Sequence, residues 1–419
     1  MICDRRSFAA RAPWIVLPCL VMIGLGCGSS PAIIPPLWLG LPGDRLPAST
    51  AANVFWVEAD IDGDPGPQVV VDTGAPIALL HVESFNGAVP LGSGQVAAMT
   101  IGGTTLWKVP TYGDHDPSLP TSRSLTPTGL PDGGLIGFTV FGQFEMSFNY
   151  RDDLVVIGAA PLPDGVLAPV SVPFSLEGGG VGSVSMGGDV IQFPASRVVV
   201  PVTVEGRQLT LLIDTGASWV GLRTNIYGSL IEDGRGQLTV DATLAQGMAV
   251  TNITRLRSVI IGGLEVTGAV GASAASVDGL MSDLSYEVGH QIDGLLGAPY
   301  LREFYVTVDY PNRTLRLYRF ADQSYVLDDY RRVGIELSTL ISPTGNSFAV
   351  RLVYPGTDAE LKGIHKGDIL VSIDGQFLFG LDAAAVDRKL RGSVGTSRQL
   401  QFAGSRTVDV LIDELLPLP

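Results

Sequence analysis

The sequence predicts a mostly β protein with two similar β-barrel lobes that form a pseudo-dimer, followed by a small α+β domain. Its 419 residues exceed one ordinary domain. Hydrophobic residues make up 46% of the chain, charged residues 16%, and glycines number 52, which is typical of ordered strands and tight turns. An internal repeat relates residues 51–160 to residues 191–325, and a different pattern occupies residues 330–419.

The repeat is clearest where an apolar strand ends. Residues 69–71 lead into Asp72-Thr73-Gly74-Ala75, and residues 211–213 lead into Asp214-Thr215-Gly216-Ala217. An upstream strand and a turn of Gly, Asp, Glu or Pro residues precede each copy. Each half is therefore predicted to carry a strand, a turn and a second strand that ends in Asp-Thr-Gly.

The correspondence continues downstream in the same order. Residues 99–103 match residues 259–263, and residues 144–150 match residues 304–310. Between these blocks, each half has two apolar residues followed by glycine: Leu135-Ile136-Gly137 and Leu295-Leu296-Gly297. The second half is longer between the Asp turn and this block, and loops tolerate such insertions. The matched blocks indicate a duplicated unit.

Two carboxyl groups at the ends of paired strands suit hydrolysis by water. Asp72 and Asp214 can share a proton, so one acts as base while the other acts as acid. Glycine after each Asp-Thr permits a tight turn, and the Thr73 and Thr215 hydroxyls can hydrogen-bond across the symmetry axis. The sequence has no Gly-x-Ser-x-Gly elbow, and none of its four histidines or three cysteines has a recognised metal spacing. We expect no metal and no cofactor.

These motifs resemble the retropepsin and pepsin aspartic peptidases over residues 53–318. The resemblance implies an endopeptidase that acts on polypeptides and in which Asp72 and Asp214 activate water. It also implies that neighbouring residues support the two Asp-Thr-Gly turns and that the downstream blocks pack behind these turns. The supporting residues are Thr73, Gly74, Thr215 and Gly216, and the packing residues are Leu135, Ile136, Gly137, Leu295, Leu296 and Gly297.

The chain also departs from the family pattern. Pro76 follows the first copy of the motif and fixes the backbone there. Neither half shows an aromatic residue at a recognisable flap spacing; Trp107 and Tyr112 are candidates, although half-buried strand positions are the favoured interpretation. The alternative function is a catalytically inactive peptide-binding or scaffold protein of the bacterial envelope.

The C-terminal region carries a second resemblance. Residues 363–375 follow the pattern Gly-x-x-x-Gly-Asp-x-apolar-x-x-apolar-Asp-Gly and resemble a bacterial PDZ domain, with residues 380–390 as the only convincing helix. The resemblance implies that Val333-Gly334-Ile335 binds the carboxylate of a peptide C-terminus through backbone amides. Such a domain would recruit substrate; the alternative is a domain that only packs against the lobes.

The N-terminal region reads as an export signal. Residues 1–27 combine arginines, an apolar run and a lipobox-like stretch ending in Cys27, which predicts a lipid-anchored protein of the bacterial periplasm or outer envelope. A plain secretory signal with an incidental Cys27 is the alternative. Residues 28–50 resemble a tether, and residues 161–190 a linker with one bridging strand at 170–176. The net charge of −15 disfavours nucleic acid and anionic lipid surfaces as partners.

Overall fold

The computed structural model describes residues 37–419 except 40–42, 51–52, 64–65, 115–131, 179–182, 187–188, 193, 245–246, 323–329, 343–344 and 382. The predicted signal and Cys27 lie outside the described residues. The mostly β fold class is confirmed, because strands form both lobes and most of the C-terminal domain. No helix among the described residues is long and apolar enough to cross a membrane.

The first lobe is a barrel-like sheet around an apolar core. Its described elements are β1 (Leu37–Leu39), β2 (Asp44–Pro47), β3 (Trp56–Glu58), β4 (Asp60–Ile61), β5 (Gln68–Val71), β6 (Ala78–His81), β7 (Gly92–Ile101), β8 (Thr104–Asp114), β9 (Asp132–Ile136), α1 (Phe138–Phe141), β10 (Glu145–Asn149) and β11 (Leu154–Ile157). Val69 and Val71 lie on the same face of β5 and are both buried in the core of the lobe. Strand β5 runs parallel to β9, so Val71 lies beside Ile136.

The second lobe repeats this plan. The interlobe segment and second lobe contain β12 (Val170–Pro173), β13 (Ser175–Glu177), β14 (Ser183–Met186), β15 (Asp189–Gln192), β16 (Arg197–Val204), β17 (Arg207–Ile213), β18 (Val220–Leu222), α2 (Thr224–Leu230), β19 (Gln237–Leu244), β20 (Gly247–Arg255), β21 (Val259–Ile261), β22 (Leu264–Val266), β23 (Val270–Ser273), α3 (Ala275–Val288), β24 (Gly294–Leu296), α4 (Ala298–Leu301), β25 (Phe304–Asp309) and β26 (Thr314–Arg319). Strand β17 runs parallel to β24, so Ile213 lies beside Leu296.

One sheet contains strands of both lobes, in the order β12-β26-β25-β10-β11-β2. Its central strands, β10 and β25, are counterparts in the repeat and pair antiparallel. Ser147 pairs with Thr307, which lies 160 residues further along, and their hydroxyls are 2.8 Å apart. Because each of these residues pairs with its own counterpart, the pair lies on a pseudo-twofold axis between the lobes.

The C-terminal domain has its own core and sheet. Its described elements are β27 (Arg331–Val333), β28 (Ile335–Ser342), β29 (Gly345–Val353), α5 (Asp358–Leu361), β30 (Ile369–Ile373), β31 (Gln376–Phe377), α6 (Ala383–Leu390), β32 (Ser397–Phe402) and β33 (Thr407–Glu414). Phe348, Leu370, Leu390 and Leu400 are buried in this core. The strand order β27-β33-β32-β30-β29-β28 leaves β28 at one edge of the sheet within the described residues.

Three predictions about single elements are wrong. Residues 28–50 are not only a tether, because β2 (Asp44–Pro47) pairs with β11 in the sheet shared by the lobes. Residues 380–390 are not the only helix, since α3 spans 14 residues, and the helix predicted there is α6, which spans Ala383–Leu390. The bridging strand at 170–176 is two strands: β12 pairs with β26, and β13 pairs with β16. The break falls at Phe174, whose N–H donates to the Arg313 carbonyl at 3.0 Å.

Candidate active site

The first Asp-Thr-Gly turn is fixed between β5 and β9. The Asp72 N–H donates to the Ile136 carbonyl at 3.0 Å, and the Gly74 N–H donates to Asp72 Oδ1 at 2.7 Å. Gly137 lies against the turn, where a Cβ atom would be 2.4 Å from the Ala75 carbonyl oxygen. Only glycine therefore allows the strand end to pack this closely behind the carboxyl-bearing turn.

The second turn repeats this geometry. The Asp214 N–H donates to the Leu296 carbonyl at 3.1 Å, and the Gly216 N–H donates to Asp214 Oδ1 at 2.9 Å. A Cβ atom at Gly297 would be 2.3 Å from the Ala217 carbonyl oxygen. The apolar-apolar-glycine blocks of both halves thus lie directly behind the two turns.

The threonines join the turns by four hydrogen bonds. The Thr73 hydroxyl donates to the Ile213 carbonyl at 2.9 Å and accepts the Thr215 N–H at 3.0 Å. Reciprocally, the Thr215 hydroxyl donates to the Val71 carbonyl at 2.7 Å and accepts the Thr73 N–H at 3.1 Å. Both threonine side chains are fully buried. This exchange holds the two lobes in register at the site.

The two carboxyl groups meet beneath the turns. A Cβ atom at Gly74 would be 2.8 Å from Asp214 Cγ, and one at Gly216 would be 2.7 Å from Asp72 Cγ. The Asp72 and Asp214 side chains hydrogen-bond to each other. Each glycine therefore makes room for the opposite carboxyl, and the sequence-predicted pair is brought together.

Burial dominates the electrostatics of the pair. Burial raises the pKa of Asp72 above its ordinary value, against the Asp214 hydrogen bond and the Gly74 N–H, which lower it. Burial also raises the pKa of Asp214, and repulsion by the Asp72 charge raises it well above its ordinary range. The positive charge of Arg197 opposes both shifts. One proton shared by the two carboxyls relieves this repulsion.

Two residues near the pair were missed at the sequence level. Arg197 begins β16 and is 6% exposed, so a charged residue at the start of an apolar strand was the available signal. Tyr310 ends the β25 repeat block, and its buried hydroxyl has no hydrogen-bond partner among the described residues. Burial, and then the charge of Asp72, raises the pKa of Tyr310 well above its usual value, so the phenol stays neutral.

The other sequence candidates lie elsewhere. Trp107 and Tyr112 of β8 pair with Ala98 and Ser93 of β7, and Tyr112 is 7% exposed, so both are strand residues of the first lobe. The proposed carboxylate loop, Val333-Gly334-Ile335, lies in the C-terminal domain. Among the described side chains, no group of three or more His, Cys, Asp or Glu residues could hold a metal ion.

A family model matches part of the second lobe. Residues 200–300 match the model described as "Aspartyl protease", and this stretch contains both the Asp214 turn and the Leu295-Leu296-Gly297 block. Residues 200–300 are therefore similar to an aspartyl protease domain. Within this stretch, Asp214 lies opposite Asp72 of the first lobe.

The chain is also similar to parts of several solved structures. An aspartic proteinase from Irpex lacteus has a TM-score of 0.42 and 13% identity, over 67% of this chain and 98% of that one. A retropepsin-like aspartic protease from Rickettsia conorii has a TM-score of 0.22 and 20% identity, over 30% and 82% of the two chains. A photosystem II D1 C-terminal processing protease has a TM-score of 0.19 and 23% identity, over 21% and 24%. No curated protein matches.

Proposed function

We propose that the chain is an aspartic endopeptidase that hydrolyses peptide bonds with water activated between Asp72 and Asp214. The observation that carries this proposal is the reciprocal arrangement of the two turns. Each carboxyl is held by the glycine N–H of its own turn, and the threonine hydroxyls bind the opposite lobe. Two equivalent carboxyls that share a proton in a buried setting supply both an acid and a base.

The chemistry follows from that shared proton. The ionised carboxyl takes a proton from water as the oxygen attacks the peptide carbonyl carbon, while the protonated carboxyl donates to the carbonyl oxygen. The resulting tetrahedral diol collapses with transfer of a proton to the amine, and the carbon–nitrogen bond breaks. The pair then returns to its starting protonation state, so catalysis needs no further group.

The test is digestion of an unstructured protein with wild type, Asp72→Asn and Asp214→Asn, and new N-termini are counted by mass spectrometry. Each substitution removes one partner of the acid–base pair, so cleavage should fall by at least about a hundredfold. Asp164→Asn, at an exposed carboxyl in the interlobe segment, is the matched control and should cleave as wild type does. Equal cleavage by all four proteins would instead support the scaffold alternative.

We further propose that the C-terminal domain binds the C-terminal segment of a peptide along β28. Support comes from the edge position of β28 within the described residues, because peptides add to a sheet edge through backbone hydrogen bonds. Val333, Gly334 and Ile335 are buried, so the proposal rests on this edge rather than on those three residues. Calorimetry with a peptide library should show binding of free carboxylates and loss of binding on C-terminal amidation. Equal affinity for both forms would contradict carboxylate capture.

Export and anchoring in a bacterial envelope are also proposed, from residues 1–27. Lipidation at Cys27 would leave a tethered protein outside the inner membrane. Expression of the full chain with Cys27→Ser should move the protein from the membrane fraction to the soluble fraction. An unchanged distribution would refute the lipid anchor.

A further inference from the structure

The two halves of the repeat differ in the segment that follows the Asp-Thr-Gly turn and the next strand. After β6, the first lobe reaches β7 through residues 82–91, which form only a 3-10 turn and a loop. At the same place, the second lobe has α2 and a hairpin of β19 and β20. These strands pair from Gln237 to Leu244, whereas β20 meets β23 only from Asn252 onward. Most of this hairpin therefore extends beyond the sheet of the second lobe.

The C-terminal domain covers the base of this hairpin. Side chains of the two domains form one buried apolar cluster, which we call the docking cluster. Its buried members are Val240, Ile253, Val270 and Ala272 from the second lobe and Tyr354, Leu415 and Leu416 from the C-terminal region. Leu416 is fully buried. Burial of a leucine side chain contributes about 1.5–3 kcal/mol, so the domains are not independent modules on a linker.

A buried arginine adds polar contacts to the docking cluster. Arg255, at the end of the hairpin, is 1% exposed. Its Nε donates to the Leu416 carbonyl at 3.1 Å, and one terminal nitrogen donates to the Gly268 carbonyl at 2.9 Å. Its guanidinium also lies 5.8 Å from the centroid of the Tyr330 ring. The hydrogen bonds fix the C-terminal segment against the hairpin, because a buried cation without its acceptors is costly.

The second catalytic turn has its own contact with the C-terminal region. Trp219 follows the Asp214 turn, and its indole N–H donates to the Tyr330 hydroxyl at 3.4 Å. A Cβ atom at Gly297 would be 2.3 Å from the Trp219 carbonyl oxygen, so this residue lies behind the turn. Its counterpart in the first lobe, 142 residues earlier, is the buried apolar residue Ile77. Only the second half of the repeat therefore has an indole donor at this position.

Tyr354 fixes the other side of the docking cluster. Its N–H donates to the Gly334 carbonyl at 2.9 Å, and its hydroxyl hydrogen-bonds Glu336 of β28. Tyr354 is 2% exposed. The cluster is thus held by the first turn of the C-terminal domain rather than by a loose tail.

We propose that the C-terminal domain is a positioning element of the active site, with Tyr330 and Leu416 as positioning residues. Through the docking cluster, it holds the β19–β20 hairpin and the segment after Asp214 in the arrangement that accepts a peptide. This role rests on the proposed peptidase function. It requires that loosening the cluster weaken substrate binding without disturbing the threonine bonds between the turns.

The experiment compares Leu416→Ala with Leu411→Ala, since Leu411 is 44% exposed in the same C-terminal segment. For an internally quenched peptide, Leu416→Ala should lower kcat/KM about tenfold, mainly through KM. Amide hydrogen exchange should quicken in residues 238–253 and stay unchanged at Thr73 and Thr215. Leu411→Ala should match wild type in both measurements.

A milder variant controls for the possibility that Leu416→Ala unfolds the whole protein. Tyr330→Phe keeps the ring and removes only the hydroxyl that accepts from Trp219, so kcat/KM should fall about threefold. Unchanged kinetics and unchanged exchange in both Leu416→Ala and Tyr330→Phe would overturn the positioning role. If wild type cleaves no peptide, the proposed peptidase function fails. The amide hydrogen exchange rates of residues 238–253 in Leu416→Ala then still decide whether the C-terminal domain holds the hairpin.

Discussion

At the residue scale, the threonine hydroxyls account for how two separate turns form one site. Thr73 both donates to Ile213 and accepts from Thr215, in a setting without access to water. A buried backbone group that loses its partner costs more than the hydrogen bond itself contributed. The threonines therefore stabilise the fold and align the carboxyls at the same time.

Thr73→Val should expose this double role. Valine keeps the shape but leaves the Ile213 carbonyl and the Thr215 N–H without their partner, so the free energy of unfolding should fall by about 1–3 kcal/mol. The rate constant kcat should fall with it, because the turns lose their alignment. Urea unfolding and peptide cleavage measure the two effects. Thr73→Ser retains the hydroxyl and should stay close to wild type; equal losses in both variants would contradict the account.

The raised pKa values of the pair predict a pH-dependent stability. A carboxyl whose pKa is raised by folding favours the folded state at pH below its ordinary value of 3.8, and this contribution is lost as pH rises through the raised pKa. Asn cannot ionise, so the Asp214→Asn variant does not lose this stability as the pH rises. Its Tm should exceed that of wild type at pH 8, by about 2–4 °C for each kcal/mol relieved, with a smaller difference at pH 4.

Asp164→Asn serves as the matched control for this titration, since its carboxyl is exposed. Its Tm should follow that of wild type across the whole pH range. A difference between Asp214→Asn and wild type that does not vary with pH would show that the pair does not titrate as described.

At the element scale, the close packing of β24 behind the second turn depends on one glycine. Gly297→Ala would place a methyl group 2.3 Å from the carbonyl oxygens of Ala217 and Trp219. We expect a loss of about 1–3 kcal/mol in unfolding free energy, together with lower kcat, because the turn must move. Gly279→Ala in helix α3 meets nothing within 4 Å and should raise stability by about 0.5–1 kcal/mol. Equal effects of the two substitutions on chemical unfolding would contradict this packing.

Elements with strong local patterns could be predicted from sequence, and others could not. The Asp-Thr-Gly strands were predicted because the same apolar context occurs twice. Helix α3 was missed, although Val277, Met281 and Leu284 have helical spacing and are buried, since glycine and serine between them weaken the pattern. The only sequence signal of the β19–β20 hairpin was that the second half of the repeat is longer here than the first. A difference in length does not indicate the structure of the inserted residues.

At the scale of the whole molecule, the sequence repeat predicts the pseudo-dimer but does not predict where the C-terminal domain packs. Counterparts such as Ser147 and Thr307 meet because repeated strands pair about a twofold axis, and a repeat is visible in sequence. Leu416 and Arg255 are far apart along the chain and have no counterparts to reveal their contact. The sequence left both recruitment and packing open for this domain, and the structure shows extensive packing.

The central claim is that one proton is shared between Asp72 and Asp214, and it is tested most directly by the pH dependence of kcat/KM. With an internally quenched peptide, wild type should show a bell-shaped profile, because activity needs one ionised and one protonated carboxyl. Asp72→Asn and Asp214→Asn should be inactive at every pH, while Asp164→Asn should reproduce the bell. A profile that is flat, or one that either Asn variant of the pair reproduces, would contradict the account.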